Sequence, residues 1–571
     1  MRRGRAGLLA AVLTAVLAGC TTVPTSSPTV EITQIADPPA DVGVEALPPE
    51  VGASPEEVVR GFVDAMASTT RNHPVARQFL TAQAADRWSD TEGVTVISAD
   101  YAPVATDAST VEVTAELVGA VDTQGVFTVG TGQAYTRSMA LTQERGEWRI
   151  TDPPDGLVLL EPDFARTYDQ VSAYFLDPTG TRVVPDPRFL VDGEAQPTAL
   201  VDRLLTGAST PVAAGVVNPL AGSELRSNVD VQRQVAVVDL TGLPPDVVDD
   251  PSALCAQLVW SLDQLDDVRA VRVLVDGQQL RVPGVPDVQS VDDWAALDPD
   301  AVPVGSVGHY VDAGALRTVT SGEPVPGPAG TGVYALRSAA ATADPTTNQL
   351  GSLAGVSASA GGATLLLGPY GGELAPLLTA GTLTDPTTAA TRPEVWTVRD
   401  GTEVIRVPAS GAPQTVSATT LAGQGAAREF QLSPDGVRAA LVVDGPDGGQ
   451  VLVGTVVRSD DQVAVRDLRA VAPSLSQVVD VAWRNSAALL VLAGDAGAES
   501  TVPYAVGVDG WGVTAVTTSG LPAQPTAVAA APSRLPLVVA GGTLWQLAGG
   551  TWSTLVRGAE PLPGGAPFYP L

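Results

Sequence analysis

The sequence predicts a multidomain protein in which two α+β domains precede an all-β propeller of five or six blades. Three observations predict it. Helical stripes and alternating strands are mixed through the first half of the chain. From about residue 301 the helical pattern gives way to short alternating runs between Gly, Pro and Asp turns. Within that stretch similar pieces return roughly every 46–50 residues, the length of one propeller blade. The 571 residues have room for several domains at about 100–200 residues each.

Each segment follows in order. Residues 1–19 read as a signal peptide: Arg2, Arg3 and Arg5 are positive, and the apolar run 8–18 is too short to span about 30 Å of hydrocarbon. Leu17-Ala18-Gly19-Cys20 then matches the bacterial lipobox. A lipobox implies cleavage after Gly19, a diacylglyceryl group on the sulfur of Cys20 and acylation of its new amino group. One acyl chain holds a protein marginally, whereas two or three, at roughly 0.8 kcal/mol per buried CH₂, hold it durably. Residues 20–52 read as a Pro-rich tether, with Pro24, Pro28, Pro38, Pro39, Pro48 and Pro49, reaching at most about 90 Å. The expected location is the extracytoplasmic face of the cell membrane.

Residues 53–165 open with a capping box, Ser54-Pro55-Glu56-Glu57. Val58, Phe62 and Met66 recur at helical spacing behind it. A second helix is expected over 75–88, with Asp86, Arg87 and Trp88 on a surface turn. Val111, Val113, Ala115 and Leu117 alternate as a strand, and more strands follow near Phe127 and Trp148. Helices followed by a curved antiparallel sheet resemble the nuclear-transport-factor-2-like cone.

Residues 166–298 begin with a strand, Ala173-Tyr174-Phe175-Leu176. A helix over 199–207 stops at Gly207. A strand over 235–240 is followed by a helix over 252–265, with Leu254, Leu258, Leu262 and Leu265 on one stripe. Val271, Val273 and Val275 then alternate into the turn Asp276-Gly277. This succession resembles the GerMN domain, an extracytoplasmic module with no known catalysis. The acidic run 246–250 reads as a solvated loop, and Cys255 as a small buried hydrophobe.

Residues 299–571 hold the repeats. Leu432-Ser433-Pro434-Asp435-Gly436 precedes 439–443, Val481-Ala482-Trp483-Arg484 precedes 489–492, and Ala527-Val528-Ala529 precedes 537–539. The run from Val356 to Gly362 before 364–367 is read as an equivalent piece. A second kind of piece runs into a turn: Val395-Trp396-Thr397-Val398 into Asp400-Gly401, Tyr504 to Val508 into Asp509-Gly510, Leu544 to Leu547 into Gly549-Gly550, and Tyr310-Val311 into Gly314. Two hairpins per repeat make a four-stranded blade.

The charge excludes whole classes of function. All 32 basic residues are Arg, and the net charge of −31 becomes −34 once Arg2, Arg3 and Arg5 are removed. Nucleic acid demands a basic footprint, which is missing, so no nucleic-acid partner is expected. Without Lys there is no phosphate-binding Gly-rich loop ending in Lys. Two His only, His73 and His309, fall in different domains, and no HExxH or CxxC motif exists, so no metal or cofactor is expected. No GxSxG lies beside a usable His, so no catalytic residue is assigned. Carboxylates abound, and a cluster of them at one mouth of the propeller would favour a hydrolase or lyase. Ser459-Asp460-Asp461 reads as a hairpin tip with too few oxygens of its own for calcium.

The order of lipobox, tether, α+β domain, GerMN-like domain and propeller resembles the actinobacterial LpqB lipoprotein family over nearly the whole chain. That resemblance implies association with the extracytoplasmic domain of the MtrB sensor histidine kinase. It further implies modulation of the MtrA–MtrB two-component system, and hence of cell-wall homeostasis and division. Only Cys20 carries over as a functional residue. An envelope module that binds wall glycan or peptide, without kinase contact, is the alternative.

Overall fold

The structure, a computed structural model, describes residues 46–571 apart from 304–305, 345–346, 348, 360, 446–447, 460–461, 496–499, 523 and 559. The signal peptide, Cys20 and most of the tether lie outside the described residues, as do Asp460 and Asp461 of the expected hairpin tip.

The first domain is built on the helix Pro55–Met66. Its capping box is complete: the Ser54 hydroxyl accepts from the Glu57 amide, and the Glu57 carboxylate accepts from the Ser54 amide at 2.7 Å. Val58, Val59, Phe62, Val63 and Met66 are buried, each removing apolar surface worth about 1.5–3 kcal/mol. They pack on a sheet ordered Glu147–Ile150, Ala134–Glu144, Thr110–Val121, Val94–Ile97, Leu157–Leu160, in which the last pair is parallel. In Thr110–Val121, Val111, Val113 and Ala115 face the core, as the alternation requires. The single helix expected over 75–88 is instead two pieces, a 3₁₀ turn Ala76–Phe79 and a helix Ala82–Arg87. The cause is Thr81, whose extended backbone and side chain cap the second piece by accepting from the Ala84 amide at 3.2 Å. Meanwhile Phe79 and Leu80 drop into the core. Asp86 and Arg87 are exposed as expected, but Trp88 is buried and donates to the Pro154 carbonyl at 2.8 Å.

The second domain begins with a long hairpin, Tyr168–Leu176 against Val183–Val191. The strands Val235–Thr241 and Ala270–Val275 lie parallel, joined through the helix Ser252–Leu262. That helix is buried on almost every side, Cys255 included. It stops at Leu262, because Asp263 is already its C-cap; Leu265 is buried from the following turn. The preceding helix, Gln196–Thr206, ends at Gly207 with φ +110, a conformation that favours glycine. The acidic run expected as a loop includes a short helix, Pro245–Asp249, with Asp249 and Asp250 exposed.

The third domain is a propeller of six blade sheets among the described residues, with a further two-stranded ribbon, Val556–Arg557 against Glu560–Pro561. Five are four-stranded, in strict sequence order, with their innermost strands at Leu336–Ala343, Thr387–Ala389, Ala427–Leu432, Leu475–Asn485 and Pro525–Ala529. Blade one is composite. Its second and third strands are His309–Asp312 and Ala315–Thr318, while its innermost strand, Gly565–Phe568, arrives from the far end of the sequence. Each innermost strand lies against the next, and Gly565–Phe568 closes the circle between blades six and two. Of the repeats read from sequence, those at 432–443, 481–492 and 527–539 are true equivalents, each joining the first and second strands of a blade. The piece beginning at Val356 is not: it joins the second and third strands of blade two. The turn-ending pieces are also mixed. Tyr310 and Val395 lie on second strands, Tyr504 and Leu544 on third strands. Alternation and a following turn look alike on either strand, so periodicity alone could not separate them.

Candidate functional site

The two His have structural partners. His73 Nδ1 lies 2.7 Å from the Asp90 carboxylate. His309 is fully buried, with Nε2 2.7 Å from the Tyr370 hydroxyl and Nδ1 2.9 Å from the Val307 carbonyl. Burial drives its pKa down to about 4, only partly opposed by the Val307 contact, so it stays neutral at physiological pH. Burial likewise raises the Cys255 thiol to about 12, far from the thiolate range that reactivity needs. Among the described residues no group of His, Cys, Asp and Glu could hold a metal ion. No described helix is long and apolar enough to cross a membrane.

What the structure does bring together is a joint where all three domains meet. Phe127 from the first domain, Phe164 from the connecting helix Glu161–Thr167, Phe189 from the hairpin and Trp511 from blade five form one aromatic cluster. Trp511 meets Phe127, Phe164 and Phe189 at centroid distances of 5.2, 5.1 and 5.4 Å, each edge-on. Such pairs contribute about 0.5–1.5 kcal/mol beyond area burial. Gly510, at φ +92, lets the turn approach: a Cβ there would stand 2.9 Å from the Val129 side chain.

Polar contacts finish the joint. Gln170 on the hairpin donates to Asp509 at 2.7 Å, and the Phe189 amide donates to the Gly125 carbonyl at 2.8 Å. The turn Ser433-Pro434-Asp435-Gly436 is a β-turn as expected, with the Gly436 amide bonded to the Ser433 carbonyl at 2.9 Å. It also has a second role. Asp435 and Arg438 are both buried, 3.5 Å apart, and Arg438 donates to the Pro185 carbonyl of the hairpin. Thr455 donates to the Pro211 carbonyl. The link into the propeller is fastened too: Arg182 donates to the Asp298 and Ala301 carbonyls, and the Asp300 carboxylate accepts from the Ser486 amide at 2.7 Å. Burial raises Asp300 to about 6 despite that bond. The sequence carries the turns Asp435-Gly436 and Asp509-Gly510 in plain view. It does not carry the information that both meet one hairpin more than 200 positions away.

The propeller axis holds a second cluster. Asp385 lines a cavity of about 60 Å³ beside Ala339, Thr387 and Trp483. Glu429 and Asp480 lie on the innermost strands of blades four and five. Burial first, and then the mutual repulsion of these carboxyls, raises Glu429 well above its ordinary range. Asp480 rises to about 7 from burial and the nearby Asp385, although it accepts from the Val481 and Val528 amides at 2.7 Å each. The cavity has room for a few waters at most, whereas small-molecule sites take about 300–1,000 Å³. The cavity that Asp385 lines is therefore too small to seat a substrate.

Comparisons with known proteins match this architecture. Residues 48–165 match the family described as lipoprotein LpqB, N-terminal domain; residues 172–281 match the Germane family, described as sporulation and spore germination; and residues 314–570 match the lipoprotein LpqB beta-propeller domain. The chain is 32% identical over 554 residues to lipoprotein LpqB of Rhodococcus opacus (strain B4), covering 92% of this chain and 90% of that one. It is 32% identical over 561 residues to lipoprotein LpqB of Mycobacterium tuberculosis (strain CDC 1551 / Oshkosh), covering 93% of each. Among solved structures, the first GerMN domain of the sporulation protein GerM from Bacillus subtilis is similar at 20% identity, 22% of this chain, 98% of that chain and a TM-score of 0.19. TolB from Acinetobacter baumannii is similar at 12% identity, 61% of this chain, 98% of that chain and a TM-score of 0.30. With a GerMN domain between the two LpqB-type domains and near-complete coverage of its relatives, the chain belongs to the LpqB family of envelope lipoproteins.

Proposed function

We propose that the protein is a non-enzymatic regulator on the extracytoplasmic face of the membrane, anchored through acylated Cys20, that binds the extracytoplasmic domain of an MtrB-type sensor histidine kinase. Through that contact it modulates an MtrA–MtrB-type system and so affects cell-wall homeostasis and division. The observation that carries the reading is the three-domain joint around Trp511, in a chain of the LpqB family. Aromatic packing, a buried ion pair and hydrogen bonds at the linker hold the domains in one arrangement. A body of that kind presents a fixed surface to a membrane partner rather than a closing active-site cleft. The small axial cavity and the engaged His73 and His309 support the non-enzymatic part.

Co-purification of the lipidated full-length protein with the kinase ectodomain tests the partner. Association in the micromolar range or tighter is expected, and no association at high micromolar concentration overturns the reading. Membrane fractionation of C20A tests the anchor: the variant is expected in the soluble fraction. Sedimentation with purified wall material, without kinase binding, would favour the glycan- or peptide-binding alternative.

A further inference from the structure

Beside the joint, a cleft of about 250 Å³ opens between the first and second domains. One wall is the first-domain segment from Asp90 to Val94 with the turn from Val121 to Gly125. The other is the end of the hairpin, Phe189 to Val191, with residues of the helix Gln196–Thr206. The lining residues and the chain on either side of them all fall among the described residues. The first described segment of the chain is fastened elsewhere: the Gly52 amide donates to Glu147 at 2.9 Å, on the strand at the far edge of the first-domain sheet. The bond from the Phe189 amide to the Gly125 carbonyl ties the two walls together, so the cleft is preformed.

Much of the lining is apolar: Val94, Val121, Leu190, Val191, Ala195 and Ala199. Each wall adds one unpaired charge. Arg203, from the helix, makes no side-chain hydrogen bond or ion pair among the described residues, and its Nε is buried without an acceptor. A buried N–H left in that state is costly and calls for an acceptor. Asp186 is not available to it, because Arg188 and the Ser209 amide hold one carboxylate oxygen and the Ser209 hydroxyl the other. Nor is Asp90, which is engaged by His73 at 2.7 Å and Arg77 at 3.6 Å. Across the cleft, Asp122 accepts from the Gln124 and Val126 amides through one oxygen and forms no ion pair among the described residues. The acids flanking the hairpin end, Asp192 and Glu194, line a separate cleft. A guanidinium thus stands on one wall and a carboxylate on the other, with apolar surface between, and the two do not close on each other. Arginine forks match carboxylate oxygens in pairs. The volume is that of about eight waters at ~30 Å³ each, below the roughly 300–1,000 Å³ of drug-sized sites and on the scale of a single amino acid.

We propose that the cleft between the first and second domains binds a free amino acid with an apolar side chain, its carboxylate on Arg203 and its ammonium on Asp122. The side chain would lie against Val94, Val121, Leu190 and Val191, removing apolar surface from water. Such a zwitterion supplies the acceptor that Arg203 lacks and the cation that Asp122 lacks, one from each end. This proposal is independent of kinase binding.

Isothermal titration of the full-length chain tests it, with L-leucine and D-leucine as separate probes, because the lining does not fix handedness. At least one enantiomer is expected to fill a single saturable site below about 1 mM. Isocaproate, which lacks the ammonium, and isoamylamine, which lacks the carboxylate, should each bind at least tenfold more weakly, and so should glycine, which lacks the apolar body. R203Q and D122N should each weaken leucine binding at least tenfold without changing the melting temperature, because Arg203 holds no protein partner and D122N keeps an oxygen for the Gln124 and Val126 amides. R281Q, on an exposed residue elsewhere in the second domain, should leave binding unchanged. Should either cleft variant melt early, the ligand series on the wild type decides alone. No saturable binding of either enantiomer, or wild-type affinity in both R203Q and D122N, overturns the proposal. Affinity for isocaproate or isoamylamine equal to that for leucine overturns the zwitterion assignment.

Discussion

The indole of Trp511 stands edge-on to the ring of Phe164, their centroids 5.1 Å apart and their planes 74° apart, although one belongs to the propeller and the other to the helix leaving the first domain. Removing that indole should loosen three domains together. Truncation of a buried Trp costs about 3–5 kcal/mol, and Trp511 is half-buried, so W511A is expected near about 3 kcal/mol. Urea unfolding of the whole chain checks this. The wild type should unfold with its domains coupled, and W511A should separate an early transition from the propeller's. A single unchanged transition would show that the joint carries little energy.

The buried pair Asp435–Arg438 predicts a non-additive result. R438A leaves the fully desolvated Asp435 without its cation, a change that costs about 3–5 kcal/mol when one partner of a buried pair is removed. R438A/D435N should recover a large part of that loss, since an amide bears no charge and can still accept from the Ser433 hydroxyl and Val437 amide. A double-mutant cycle read by chemical denaturation checks it.

His309 makes stability depend on acid. Its folded pKa of about 4 lies below the unfolded value of 6.5, so the unfolded chain takes up a proton first. Its contribution is intact above about pH 6.5 and is lost progressively as pH falls toward 4, by about 3 kcal/mol in total. H309Q should flatten this limb of the stability–pH curve.

Asp300 has the opposite sign. Its folded pKa of about 6 lies above its ordinary 3.8, so ionisation is harder in the folded state, and acidification from pH 7 toward 4 stabilises the linker contact. D300N keeps an acceptor for the Ser486 amide and removes the charge. It should therefore raise the melting temperature at pH 7.5 and lose that advantage near pH 4. An equal shift at both pH values would assign the effect to packing instead.

Local features were readable in the sequence wherever one segment decides its own geometry. The Ser54 capping box, the Gly207 stop, the apolar helix through Leu254 and Leu258, and the first hairpins of blades four to six all follow from nearby residues. The break at Thr81 was missed because an apolar helix period continues across it, and only the sheet contact of Leu80 with Ile150 shows why the chain turns inward. The α+β character of the first domain is clear, while the nuclear-transport-factor-2-like likeness remains an expectation from sequence. The joint was out of reach for a different reason. Phe127, Phe189 and Trp511 are single aromatics in separate domains, and nothing near any one of them in sequence points to the other two.

His309 stacks on Phe568 at 5.3 Å inside the composite blade, although the two lie roughly 260 positions apart. Until those partners find each other, the propeller is an open arc with two unpaired edges, each able to recruit a strand from a neighbouring molecule. Closure is a slow, long-range event, and the interval before it is when a newly made chain most needs protection from aggregation and proteolysis. A lesion in this clasp should therefore reduce how much mature protein accumulates in the envelope, even where every binding surface is left untouched.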